Sequence, residues 1–162
     1  RPVGVSIMSV VWIKDLNIFD SRAQVLVCPV NCDGIMGAGL ALLFKRKFPE
    51  MFKEYRQKCF RGQVNIGSVY LWRNPVVGIK RKSVLLFPTK NHWRDRSQLI
   101  YILLGLENFV QAYNLGAFAG LKSIAFPMLG CGLGRLHRDN VRALMSEKLA
   151  PLENLKVEVY LR

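Results

Sequence analysis

Short β-branched runs alternate along this chain with segments of helical periodicity, and that alternation restricts the fold more than any other feature. Residues 9–13 (SVVWI), 25–30 (VLVCPV), 68–72, 83–87 (SVLLF), 123–126 (SIAF) and 157–161 (VEVYL) read as strands. Between them, residues 39–48 place Leu40, Leu43, Phe44 and Phe48 at helical spacing. Pro49 interrupts, and a second helical piece over residues 50–58 presents Met51, Phe52 and Tyr55. Further helices are expected over 97–113, opened by Ser97 as cap, and from about 140 to 149, capped by Asp139 with Val141, Leu144, Met145 and Leu149 on one face. Asn74-Pro75 and Gly78 mark a turn or short hairpin. This pace predicts an α/β fold, a mostly parallel sheet with helices on both faces. With no repeat, linker or low-complexity stretch, a single domain is expected.

The composition agrees with a packed fold. A chain of 162 residues, 51% of them apolar, can bury a substantial core and is not a disordered basic tail. No apolar run reaches the roughly 18 residues that a membrane helix requires. The longest, residues 99–106, is broken by Gly105. The expectation is a soluble, cytoplasmic, monomeric protein with no membrane partner. The chain opens at Arg1 with Met8 close behind, so residues 1–7 are read as upstream or added sequence and 8–162 as the domain.

The net charge of +13 is concentrated. Residues 45–96 carry fourteen Lys and Arg against Glu50, Glu54 and Asp95, which places +11 of the excess there. Such a footprint fits a polyanion, nucleic acid first, although a solvated basic face would look the same. Cys28, Cys32, Cys59 and Cys131 form no CxxC pair and no zinc-type series with His92 and His137, so free thiols and no metal are expected.

In open α/β folds ligands bind beyond the carboxyl ends of strands. Two glycine-rich loops follow strand runs here: residues 31–39 (NCDGIMGAG) after VLVCPV, and residues 130–135 (GCGLGR) after SIAF. Glycine lets backbone N–H groups approach phosphate, and a helix N-terminus adds a favourable dipole. Taken singly, either loop is equally a tight turn. Together they suggest a ligand with two phosphates, and neither matches a Walker A or GxGxxG pattern. A third segment, residues 87–94 (FPTKNHWR), leaves the SVLLF run. Lys90, directly past that strand, reads as an electrostatic clamp, a surface charge or a desolvated nucleophile. Trp93, beside Arg94, reads as a base-stacking platform or as ordinary packing.

The series CPVNCDGIMGAGLALLFKRKFPE, then LLFPTKNHWRDRSQL, then SIAFPMLGCGLGRL, resembles the macrodomain family. Within that family it looks most like the lysine-dependent ADP-ribosyl hydrolases, which include the DarG-type antitoxins and terminal ADP-ribose protein glycohydrolase. The resemblance implies a three-layer α/β/α sandwich with a mixed, mostly parallel central sheet and an ADP-ribose cleft. By its pattern Asn31 contacts the distal ribose, and the backbone of Met36, Gly37, Ala38, Gly39 and Leu40 approaches the diphosphate and ribose. Pro127, Leu129, Gly130, Cys131, Gly132, Leu133, Gly134 and Arg135 supply the other phosphate-side loop. Gln24 stands where many macrodomains carry an acid that contacts adenine, a contact an amide can satisfy. Lys90 is the implied catalytic residue, and His92, Trp93 and Arg94 are candidate DNA contacts. The protein-directed relative places an aspartate at the position of Gly134, so the glycine favours the DarG-type reading.

The activity so implied is removal of ADP-ribose from thymine bases of single-stranded DNA, reversing a toxin ADP-ribosyltransferase, with no cofactor and ADP-ribose as ligand and product. Lys90 would attack the anomeric carbon or, as ammonium, stabilise the departing base. Asp33 and His92 are candidate proton-transfer assistants or structural groups. Two other activities fit the same resemblance: hydrolysis of ADP-ribose on protein acidic side chains, and binding of ADP-ribose without catalysis. A DarT-type toxin would engage a region outside this chain.

Overall fold

Residues 25–31 are buried almost without a break, and strand pairing on both sides explains why. The computed structural model describes residues 10–76 and 81–162. Their strands are β1 (Val10–Ile13), β2 (Val25–Asn31), β3 (Tyr70–Trp72), β4 (Ser83–Lys90), β5 (Ser123–Pro127) and β6 (Lys156–Tyr160). They form one sheet in the order β1-β6-β5-β2-β4-β3. Every pairing is parallel except β3 with β4, which is antiparallel. A central parallel strand covered on both faces needs apolar side chains at successive positions, which is the VLVCPV pattern.

The helices are α1 (Gly39–Lys47), α2 (Pro49–Phe60), α3 (Leu99–Asn114) and α4 (Arg138–Leu149). Side chains alternate across the sheet. Leu26, Cys28, Val30, Val84 and Leu86 pack with Phe44, Met51 and Tyr55 of α1 and α2. Val25, Val27, Leu85 and Phe87 pack on the other face with Ile102, Leu106 and Phe109 of α3 and Val141 and Met145 of α4. The architecture is therefore the expected three-layer α/β/α sandwich with a mixed, mostly parallel sheet. α3 approaches β4 closely because position 105 has no side chain: a Cβ on Gly105 would fall 2.3 Å from Phe87 Cζ.

Several local expectations are corrected. Strand β4 does not end at Phe87; it runs through Pro88 to Lys90. Its register against β2 slips between Val30, opposite Pro88, and Asn31, opposite Lys90, so Thr89 is the extra residue of a bulge. Ser97 does not cap α3. Gln98 holds the cap position without a side-chain bond, and Ser97 is buried with its N–H donating to Gly134 O at 3.0 Å. Asp139 lies in the first turn of α4, and the His137 ring nitrogen accepts from its N–H instead. Leu43, expected on the inner face of α1, is 44% exposed. The Asn74 turn is present, its side chain accepting from Val76 N and donating to Lys82 O. Ser9, Gly78 and residues 1–7 lie outside the described residues.

Candidate active site

Because β2, β4 and β5 are parallel, Asn31, Lys90 and Pro127 emerge at one edge of the sheet. A cleft of about 650 Å³ opens there, walled by the first glycine loop, the end of β4 and the second glycine loop.

The first loop is shaped by Asn31. Its Oδ1 accepts from Asp33 N at 3.0 Å and Ile35 N at 3.3 Å, and its Nδ2 donates to Ile35 O at 2.8 Å. The buried Tyr55 hydroxyl of α2 lies 2.7 Å from Asn31 O and 2.8 Å from Asn31 Oδ1. Burial pushes the Tyr55 phenol far up, which keeps it a donor. Held this way, the loop delivers Gly37, Ala38, Gly39 and Leu40 to the cleft wall at the N-terminus of α1. The first N–H groups of a helix have no intrahelical acceptor, so this wall presents donors and a positive dipole end.

The second loop folds its carbonyls inward: Gly130 O accepts from Leu136 N at 2.9 Å, and Gly132 O from Arg135 N at 3.0 Å. Gly132, Leu133 and Gly134 face the cleft, and their N–H groups have no protein acceptor among the described residues. Gly134 admits no side chain, since a Cβ there would lie 2.3 Å from Ser97 Oγ and 2.7 Å from Gly130 O. Two sets of free backbone donors thus line one cavity, an arrangement suited to a diphosphate.

Lys90 is the last residue of β4, and the bulge at Thr89 sets its direction into the cleft. Its Nζ donates to Trp93 O at 2.9 Å. Burial pushes its ammonium below the ordinary lysine range, the Asp95 carboxylate opposes that shift, and Arg135 adds to it. Trp93 is 48% exposed at the mouth, with the Arg94 guanidinium 4.7 Å over its ring. Asp33 of the first loop spans to this turn, its Oδ1 lying 2.8 Å from His92 Nδ1 and its Oδ2 accepting from Trp93 N at 3.0 Å. The hydrogen bond and charge of Asp33 push His92 up.

The cleft therefore gathers Asn31, Gly37, Ala38, Gly39, Leu40, Lys90, Trp93, Pro127, Gly130, Gly132, Leu133 and Gly134 of the residues expected from sequence. The side chains of Met36 and Leu129 are buried in the two cores and support their loops from behind. Cys131 turns its Sγ toward Leu129 O, and His92, Arg94 and Arg135 are exposed and stand outside the cleft walls. Gln24 is not at the cleft. It precedes β2 at the amino end of the sheet, where its Oε1 accepts from Lys122 N and Ser123 N and its Nε2 donates to Gly120 O. Parallel strands put the two ends of β2 at opposite edges, so a residue beside Val25 cannot share a site with Asn31. The walls also include Thr89, Met128, Ile35 and Arg162, which the sequence reading missed. Arg162 follows β6, and only the strand order, with β6 beside β5, brings it to this edge.

The basic segment surrounds the cleft only in part. Arg56 packs on Gly34 of the first loop, and Arg94 stands by the mouth. Lys45, Lys47 and Lys58 lie over the rings of Phe52, Phe19 and Tyr70. Arg73 and Arg81 line a separate hollow of about 240 Å³ with Gln24, away from Lys90. Among the described residues no three His, Cys, Asp or Glu side chains group to hold a metal ion, and no helix is long and apolar enough to cross a membrane.

A mostly parallel α/β/α sandwich whose two glycine loops close on one cleft with free backbone donors is the arrangement of a macrodomain. The Macro domain family matches residues 27–145, and the chain belongs to that family. It is similar to the DNA ADP-ribosyl glycohydrolase of Thermus aquaticus, 38% identical over 145 residues, covering 89% of this chain and 39% of that protein. The chain thus spans well under half the length of that relative. Among solved structures it is similar to the macrodomain of Mycobacterium tuberculosis DarG, with a TM-score of 0.86 and 32% identity, covering 94% of this chain and 97% of the other. It is also similar to Thermosipho africanus DarTG in complex with ADP-ribose, with a TM-score of 0.82 and 36% identity, covering 90% of this chain and 40% of that one.

Proposed function

We propose that this macrodomain removes ADP-ribose from thymine bases of single-stranded DNA, reversing the action of a DarT-type toxin, with Lys90 as its catalytic residue. The observation that carries this reading is the placement of Lys90. A partly desolvated amine stands at the end of β4, in the same cleft as two sets of backbone donors suited to a diphosphate. The likeness to proteins named DNA ADP-ribosyl glycohydrolase supports the substrate.

In this reading the N–H groups of Gly37 to Leu40 and of Gly132 to Gly134 cradle the diphosphate and fix the distal ribose beside Lys90. Asn31, with one Nδ2 hydrogen left after its bond to Ile35 O, contacts that ribose. The amine lone pair of Lys90 attacks the anomeric carbon as the bond to the thymine nitrogen breaks. The bonding pair leaves with the base, which gains a proton from water. The hydroxide equivalent of that water then displaces the lysine, restoring the amine and releasing ADP-ribose. Trp93 offers its exposed face to a base, and Arg94 and His92 meet phosphate at the mouth. No cofactor takes part. We place the protein in the cytoplasm as a monomer, with toxin binding assigned to sequence outside this chain.

Offering the chain ADP-ribosylated single-stranded oligonucleotide and ADP-ribosylated protein side by side tests the reading. Release from the oligonucleotide alone is expected. Release from protein alone, or binding with no release from either, would contradict it.

A further inference from the structure

We infer that Asp33 is a positioning residue for Lys90: its carboxylate clasps the turn after β4 to the first glycine loop and so holds the lysine amine in register with the bound diphosphate. The inference rests on the reading of Lys90 as catalytic.

A lysine side chain is long and rotamer-rich, and an attacking amine is effective only when held in line with the reacting carbon. Lys90 Nζ is held by Trp93 O at 2.9 Å, so whatever places that carbonyl places the amine. The carbonyl belongs to a tight turn closed by Asp95 N donating to His92 O at 3.0 Å. Three bonds tie this turn to the first loop. Cys32 N donates to Asn91 O at 2.9 Å, Asp33 Oδ1 meets His92 Nδ1 at 2.8 Å, and Asp33 Oδ2 accepts from Trp93 N at 3.0 Å. Two of the three use the same carboxylate. Asp33 is also locked on its own side, since its N–H donates to Asn31 Oδ1 at 3.0 Å. The same Asn31 oxygen accepts from Ile35 N just ahead of Gly37 and Ala38. A continuous path of bonds therefore runs from the donors that would hold the diphosphate, through Asn31 and Asp33, to Trp93 and the amine. The carboxylate stands clear of the cleft walls, which separates its role from proton transfer to the substrate.

The test compares wild type, Asp33→Ala, Asp33→Asn and Lys90→Ala on ADP-ribosylated single-stranded oligonucleotide. It also follows the Lys90 ε-methylene NMR signal, assigned by its loss in Lys90→Ala. Asp33→Ala should lower kcat about tenfold to a hundredfold, as a misplaced reacting group does. KM and the Kd for ADP-ribose should stay within about twofold. The Lys90 signal should move toward that of a free lysine. Asp33→Asn keeps the size and one acceptor oxygen, should lose less, and serves if the alanine variant does not fold. Unchanged kcat with an unmoved Lys90 signal would overturn the inference and leave the catalytic reading intact. Parallel losses in kcat and ADP-ribose affinity would overturn it by assigning Asp33 to loop folding alone. Equal release by wild type and Lys90→Ala would instead fail the catalytic reading. The Lys90 signal then decides the clasp by itself, moved in support or unmoved against.

Discussion

The Tyr55 hydroxyl sits 2.8 Å from Asn31 Oδ1, so a fully buried side chain of α2 braces the first glycine loop from below. Tyr55→Phe removes the donor and leaves buried acceptors short of a partner, at a cost of about 1–2 kcal/mol. Thermal unfolding should show a fall of about 2–8 °C in Tm at this chain length. Isothermal titration should show weaker ADP-ribose binding, because the donors of Gly37 and Ala38 lose their support. An unchanged Tm would show that Tyr55 does not brace the loop.

Gly134 and Ser97 make a steric prediction. A methyl group at position 134 meets Ser97 Oγ and the Gly130 carbonyl, so Gly134→Ala should destabilise the domain by about 1–3 kcal/mol and weaken ADP-ribose binding. Ser97 Oγ is buried with no partner among the described residues, so Ser97→Ala alone should leave stability unchanged or slightly raised. Combining the two should recover only part of the loss, since the Gly130 carbonyl and the Ser97 Cβ remain in the way. Gly134→Asp should bring no activity on ADP-ribosylated protein, because its Cβ meets Ser97 and the Gly130 carbonyl and so displaces the loop. Chemical denaturation and a substrate panel read these outcomes.

His92 reports on the clasp. Asp33 raises its folded pKa, so the charged pair is fully present below the unfolded histidine value and is lost as pH rises through the raised folded value. An NMR titration should place the His92 midpoint above that of a free histidine, and Asp33→Asn should return it. A midpoint at the ordinary value in the wild-type protein would mean that the pair does not persist in solution.

The pH dependence of release follows from Lys90. Burial holds its pKa below the ordinary lysine value, and attack needs the free amine. Single-turnover release should therefore climb with pH and level off before an unperturbed lysine would. A rate that falls over the same range would assign the ammonium, stabilising the departing base, in place of the nucleophile.

Local pattern exposes most of the sheet and most of the cleft walls. The VLVCPV and SIAF runs and the loops after them were legible because buried parallel strands are apolar at every position and the glycines mark where backbone must approach a ligand. What escaped depends on contacts distant in sequence. The SVLLF run marks only the apolar part of β4, and a bulge carries the strand past Pro88 to Lys90. Ser97 read as a cap, but its N–H is taken by Gly134, 37 positions further along the chain. Gln24 sits at the amino edge, away from the cleft, whereas β6 delivers Arg162 to the carboxyl edge. Strand order decides both, and local periodicity does not contain it. The basic segment looks continuous because its charges are neighbours in sequence, yet Arg73 and Arg81 line a hollow with Gln24 that is separate from the cleft.

The most direct test of Lys90 as the catalytic residue is release of ADP-ribose from a single-stranded oligonucleotide carrying one ADP-ribosylated thymine, by wild type and by Lys90→Ala at saturating enzyme. Release by the wild type is expected, with loss of at least about a thousandfold in rate for Lys90→Ala and ADP-ribose binding retained by both. Equal release by the two proteins, or none from the wild type while it still binds ADP-ribose, would contradict that role.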